Sequence, residues 1–152
     1  NFENLPYTYM QILKDGLKKN PEAYKIIKEW YPENETKQLE QFAKCRCGGL
    51  DFEPDIQNLE LQKGEYWECP LRGKCKGENI ICIPLTYNGN VLNAKQIKLL
   101  KQLHTSKTNE VLAEELEMPL GSFHVFKKEL YKILNVQTKP EAVVIAARLN
   151  LI

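Results

Sequence analysis

The sequence predicts a mainly α-helical chain: N-terminal helices, a small cysteine-rich module of loops and short strands, and a C-terminal four-helix domain. Three observations carry that reading. Apolar residues recur at helical spacing before residue 45 and again after residue 91. Between those stretches the spacing breaks off, and glycine and proline crowd in. All five cysteines fall within that middle part. The expected division is therefore 1–44, 45–90 and 91–152.

In the first segment, "YTYMQILKDGLKKN" places Tyr9, Ile12, Leu13 and Leu17 on one helical face. "PEAYKIIKEWY" begins with Pro21 after Asn20, a proline suited to a first helical position behind a capping residue. Ala23, Ile26, Ile27 and Trp30 form its apolar stripe, and Pro32 ends it. "NETKQLEQFAKC" sets Leu39, Phe42 and Ala43 in register for a third helix. The simplest role for this unit is to pack against the rest of the chain, with partner binding as the alternative.

In the second segment, Gly48-Gly49, Gly64, Gly73, Gly77 and Gly89 alternate with Pro54, Pro70 and Pro84. "EYWEC" and "IICIPL" read as short strands. So little apolar material cannot build a separate core, so the segment needs a staple or a neighbour. Its cysteines follow C-x-C-x21-C-x5-C-x6-C, at Cys45, Cys47, Cys69, Cys75 and Cys82. Thiolates are soft ligands, and four of them close a tetrahedral site. Cys69, Cys75 and Cys82 are three of the expected ligands. The fourth is Cys47, backed by a Gly-Gly turn like that of a zinc knuckle, with Cys45 as the alternative. Zinc is the expected metal and an iron–sulfur cluster the alternative; buried free thiols remain the plainest reading.

The whole chain carries a net charge of +1, which does not advertise a polyanionic partner. The charge is uneven, however. Residues 92–152 hold nine Lys/Arg against six Asp/Glu, whereas residues 1–91 hold twelve against fourteen. No apolar run approaches the roughly 18 residues that span a bilayer, so no membrane partner is expected. "NFENLPYTYM" lacks the basic and apolar regions of a signal peptide. An odd number of cysteines argues against a disulfide scaffold, so a reducing, cytoplasmic setting is expected. His104 and His124 both lie outside the cysteine segment, which leaves no general base for a cysteine nucleophile. No enzymatic activity is expected.

The third segment shows periodic runs over 93–104, 107–117, about 120–134 and 139–149. Asn93 is placed to cap the first, Ser106 or Thr108 to open the second, and Pro119 fits the first turn of the third. Asn135 suits the left-handed position that closes it, and Pro140 begins the fourth. The second and third runs, joined by a turn of about four residues, form a candidate helix-turn-helix. The exposed start of its second helix would read bases through Gly121, Ser122, His124 and Val125, with Val125 in the core as the alternative. Lys107, Lys127 and Lys128 would contact phosphate, or else form a solvated face.

These residues also carry a resemblance. The chain reads "LNAKQIKLL", "SKTNEVLAEEL", "MPLGSFHVF", "LYKILNV" and "KPEAVVIAARLNLI" from residue 92 to 152. This succession is similar, without a gap, to the DNA-binding domain of LuxR/GerE-type transcription regulators. Asn109, Ala113, Leu116, Tyr131, Leu134, Val136, Glu141, Ala142 and Val143 fall on family positions. The departures are His124 for the family's recognition-helix lysine, Pro119 for its serine, Ser122 for its threonine and Phe126 for its histidine. The resemblance implies a sequence-specific regulator that binds double-stranded DNA. It also implies a homodimer through the last helix, with Val143, Ala146, Ala147 and Leu149 available, and a contact with RNA polymerase. The alternative is an interaction module that binds the transcription machinery or another regulator without touching DNA.

Overall fold

Residues 2–48 and 53–152 are described by the computed structural model. Among them the chain is mainly helical, with two small antiparallel hairpins. It forms two compact units, Asn1–Pro84 and Leu85–Ile152. The cysteine-bearing stretch belongs to the first unit, together with the N-terminal helices.

In the first unit, helices α1 (Tyr7–Lys18), α2 (Pro21–Trp30) and α3 (Glu35–Arg46) pack on one another. Their apolar stripes meet at Leu13, Leu17, Ile27, Leu39 and Phe42. Ile81, from the cysteine stretch, fills the same core. Asn20 caps α2 by accepting from the Ala23 amide at 3.1 Å. Its Nδ2 also donates to the Ile80 carbonyl at 3.0 Å, tying the cysteine stretch to the helix start. Strands β1 (Ile56–Gln57) and β2 (Glu60–Leu61) form a hairpin, and β2 lies against α1.

The strands expected at 65–69 and 80–85 do not form. Their backbone groups are satisfied elsewhere. The Glu65 amide donates to the Arg46 carbonyl at the end of α3, and the Ile81 amide closes a turn onto Gly77 at 2.9 Å. Without a partner strand, β-prone residues such as Tyr66 and Trp67 contribute through turn and side-chain contacts rather than through a ladder.

The second unit opens with a hairpin of β3 (Thr86–Tyr87) and β4 (Asn90–Val91). Four helices follow: α4 (Ala94–Gln102), α5 (Asn109–Glu115), α6 (Leu120–Leu134) and α7 (Lys139–Arg148). Asn93 and Gln96 form a reciprocal capping box on α4, and Thr138 and Glu141 do the same on α7. Helix α4 packs on α7, α5 on α6, and α6 on α7. Leu100, Leu103, Phe123, Leu130 and Leu134 are fully buried at their junctions. Three of these helices end alike. Met118 donates to the Ala113 carbonyl, Val136 to Tyr131 and Leu151 to Ala146, while Glu117, Asn135 and Asn150 adopt positive φ. That pairing satisfies carbonyls a helix end would otherwise leave bare. Among the described residues, no helix is long and apolar enough to cross a membrane.

The two hairpins turn through the same left-handed pair of residues, but with different chemistry. Asn88-Gly89 makes one turn and Asn58-Leu59 the other, with Leu59 held at φ 63° and 68 % exposed. A leucine side chain resists that conformation by about 1–2 kcal/mol. Leu59→Gly is accordingly expected to raise the stability of the first unit by about 1 kcal/mol, read as a higher urea midpoint at constant slope.

Candidate functional site

Two surfaces hold the sequence-derived site residues, one in each unit. In the first unit, Cys45 occupies the last turn of α3, one turn beyond Gln41 and Phe42. The Gln41 amide nitrogen donates to its sulfur at 3.1 Å. The Trp67 indole N–H donates to the Cys45 carbonyl at 3.2 Å, which brings the segment leading into Cys69 alongside the helix end. Gly48 permits that seat. A Cβ there would stand 2.4 Å from the Lys44 carbonyl oxygen and 2.6 Å from the Trp67 ring.

From Cys69 to Cys82 the chain runs through consecutive turns. Arg72 donates its amide to the Cys69 carbonyl, and Glu78 donates its own to Cys75. The Gly77 amide also donates to the Cys75 sulfur at 3.4 Å. Arg72 closes the segment with its side chain. Its Nε donates to the Trp67 carbonyl at 3.0 Å and its Nη2 to the Ile83 carbonyl at 2.9 Å. Its guanidinium stacks 4.4 Å from the Tyr66 ring centre. The positions beside Cys69 and Cys82 are thereby fastened to one planar cation.

The electrostatics agree with this geometry. Burial pushes the Cys45 thiol up, the Gln41 hydrogen bond pulls it down, and Cys82, Cys75 and Cys69 each push it further up. Cys47 has different neighbours. It lines an apolar recess of about 510 Å³ with Asp55, Ile56 and Trp67. Its thiol is pushed up to about 12, first by burial and then by the charge of Asp55 and a hydrogen bond to that carboxylate. Gly49, half of the turn expected behind Cys47, lies outside the described residues. None of the five cysteines forms a disulfide. Among the described residues, no three His, Cys, Asp or Glu side chains stand close enough to share one metal ion as placed.

In the second unit, α5 and α6 are joined through Leu116–Pro119, and the Phe123 side chain anchors α6 in the core. Pro119 sits just before the helix rather than inside its first turn. Gly121, Ser122, His124 and Lys128 are exposed, as is Val125 at 58 %, so Val125 is no core residue. The first turn of α6 carries no acidic residue, and the space a Cβ on Gly121 would occupy is open. A shallow groove of about 420 Å³ runs along the flank of α6, lined by His124, Lys127, Lys128, Tyr131 and Lys132.

Two of the three candidate phosphate contacts are engaged within the unit. Lys107 pairs with both oxygens of Glu115, at 2.7 and 2.9 Å. Lys127 donates to the Asn109 side chain at 3.0 Å and lies over the Tyr131 ring, so it ties α6 to α5. Burial, and then the charge of Lys139, lowers the Lys127 pKa. Lys128 is exposed. On α7, Ala146 is fully buried in the unit's own core. Val143 and Leu149 are half-buried, whereas Ala147 and Val144 are exposed.

Sequence reasoning missed Arg72, Gln41 and Asp55 as partners of the cysteine stretch. Gln41 had a readable signal, four residues before Cys45 on one helix face. Arg72 and Asp55 act through tertiary contacts that spacing does not encode. Compared with protein-family models, curated proteins and solved structures, the chain shows no significant match.

Arg72→Ala is expected to loosen residues 65–84, lowering the stability of the first unit by about 2–3 kcal/mol in chemical denaturation. Arg72→Lys should recover little of this, because an ammonium cannot reach two carbonyls and stack on Tyr66 together.

Proposed function

We propose that the chain is a sequence-specific DNA-binding transcription regulator, with residues 92–152 as a LuxR-type helix-turn-helix reader. The cysteine stretch is a structural, metal-held brace within the first unit. The observation that carries the DNA reading is the start of α6: a well-anchored helix whose first turns expose Gly121, Ser122, His124 and Val125 and carry no acidic side chain. Positive helix-end potential and small exposed residues suit entry into a major groove. The run of family positions from Asn109 to Val143 supports the same reading. Lys128 supplies the free phosphate contact; Lys107 becomes available when a phosphate displaces Glu115.

A second reading is that this face binds a protein of the transcription machinery. It is favoured by the apolar pair Leu120 and Val125, both exposed on α6. Fluorescence anisotropy with DNA at two salt concentrations separates the two. DNA binding that weakens with salt supports the reader, and no binding in dilute buffer sinks it. Lys128→Ala is expected to lower the slope of log affinity against log salt by about 1. Glu115→Gln, which frees Lys107, should strengthen binding at low salt and steepen that slope by about 1.

A further inference from the structure

A polar recess of about 450 Å³ opens in the first unit, with no cysteine in its lining. That volume falls within the range of small-molecule sites, roughly 300–1,000 Å³. Helix α1 supplies one wall through Ile12, Asp15, Gly16 and Lys19. These recur at i, i+3, i+4 and i+7, so they share one face of the helix and its end. The β1–β2 hairpin supplies another through Leu59, Glu60 and Leu61. Gly16 permits their close approach, since a Cβ there would stand 2.4 Å from Leu61 Cδ2. Arg46, the last residue of α3, completes the lining.

Three kinds of group meet in this recess. Lys19 and Arg46 bring positive charge, Asp15 and Glu60 negative charge, and Ile12, Leu59 and Leu61 aliphatic surface. The ion pairs of the unit lie elsewhere, at Lys14–Glu35, Lys44–Glu40 and Lys76–Glu29. Two of the lining residues are left unaccounted for by the fold. Arg46 lies over the Phe42 ring, yet its buried Nε has no hydrogen-bond partner among the described residues. Leu59 is held in the left-handed region while its side chain stays largely exposed, so packing within the unit does not offset the strain. Strain kept at the rim of a cavity is a mark of a binding surface.

The lining selects the chemistry of the occupant. A simple anion would meet two carboxylates there, and a simple cation two positive side chains. A small molecule carrying both charges and an apolar tail satisfies all three kinds of group at once. We propose that this recess binds a free α-amino acid with an aliphatic side chain. Its carboxylate is held by Arg46 and Lys19, the guanidinium offering the planar donors that suit a carboxylate. Its ammonium group is held by Asp15 and Glu60, and its side chain lies against Ile12, Leu59 and Leu61. Leu59 then gains an apolar partner that the unit itself does not give it. This site belongs to the first unit alone and stands independently of the DNA reading.

Isothermal titration of the full chain with leucine, isoleucine and valine tests this. Saturable binding of at least one of them is expected. 4-Methylpentanoate, which lacks the ammonium group, and 3-methylbutylamine, which lacks the carboxylate, should each bind at least about tenfold more weakly than leucine. Glycine, without the apolar tail, should also bind more weakly. Glu60→Gln, at an exposed position, is expected to weaken leucine binding about fivefold or more. Leu59→Gly should weaken it as well while raising the urea midpoint, which separates loss of the site from loss of the fold. Absence of saturable binding by all three amino acids up to millimolar concentration would overturn the proposal. Equal binding of leucine and 4-methylpentanoate would overturn the zwitterion as occupant. Unchanged leucine affinity in both Glu60→Gln and Leu59→Gly would overturn this recess as the site.

Discussion

The arrangement of the cysteine stretch depends on one side chain. Arg72 presents a planar fork whose donors reach the carbonyls of Trp67 and Ile83 while its face covers Tyr66. A carbonyl left unpaired in such a loop costs free energy comparable to a lost hydrogen bond, and a loop without a ladder leaves several unpaired. Arg72 donates to two such carbonyls with one charged group and fixes their separation, the Trp67 carbonyl also accepting from the Cys69 amide. Between its ties to the helices, the stretch is otherwise local turn geometry, which sets direction but not distance. The helices contribute the fixed frame through Cys45, Asn20 and the core around Phe42 and Ile81.

The helices were legible because their signals are local. Asn20-Pro21, the Asn93 and Thr138 capping boxes and the left-handed Asn135 each act within a few residues. The hairpins show two degrees of legibility. Asn88-Gly89 is the strongest short turn signal in the chain and lies between alternating residues, so it was readable although the segment reading passed over it. Asn58-Leu59 has no such signal, because leucine is forced into a glycine conformation by the pairing of β1 with β2. The misplaced strands at 65–69 and 80–85 show the converse. Aromatic and β-branched composition favours a strand only where a neighbour supplies the ladder, and here the ends of α3 and a turn took those backbone groups.

The candidate ligands divide along similar lines. Cysteine count and clustering were visible in the sequence; the different surroundings of Cys45 and Cys47 were not, because two residues of helix turn a side chain through roughly 200°. Cys45 receives the Gln41 amide on its own helix, whereas Cys47 lines a recess with Asp55 and Trp67. Lysines on the second unit behave comparably. The sequence counts Lys107 and Lys127 as positive charge, but Glu115 and Asn109 decide how much of it faces outward.

Binding by this second unit would therefore exchange partners rather than add them. A phosphate that recruits Lys107 must replace a two-oxygen contact already made within the unit, so the gain is the difference between two ion pairs. Lys127 has less to offer, since leaving Asn109 and the Tyr131 ring removes a tie between α5 and α6. In the proposed complex, affinity would then fall mainly on Lys128, the helix start and the shape of the exposed face around Gly121. If this unit binds DNA as proposed, such a surface would gain little from charge alone, and groove shape and base edges would supply a larger share. The modest positive excess of residues 92–152 is the sequence-level counterpart of that balance.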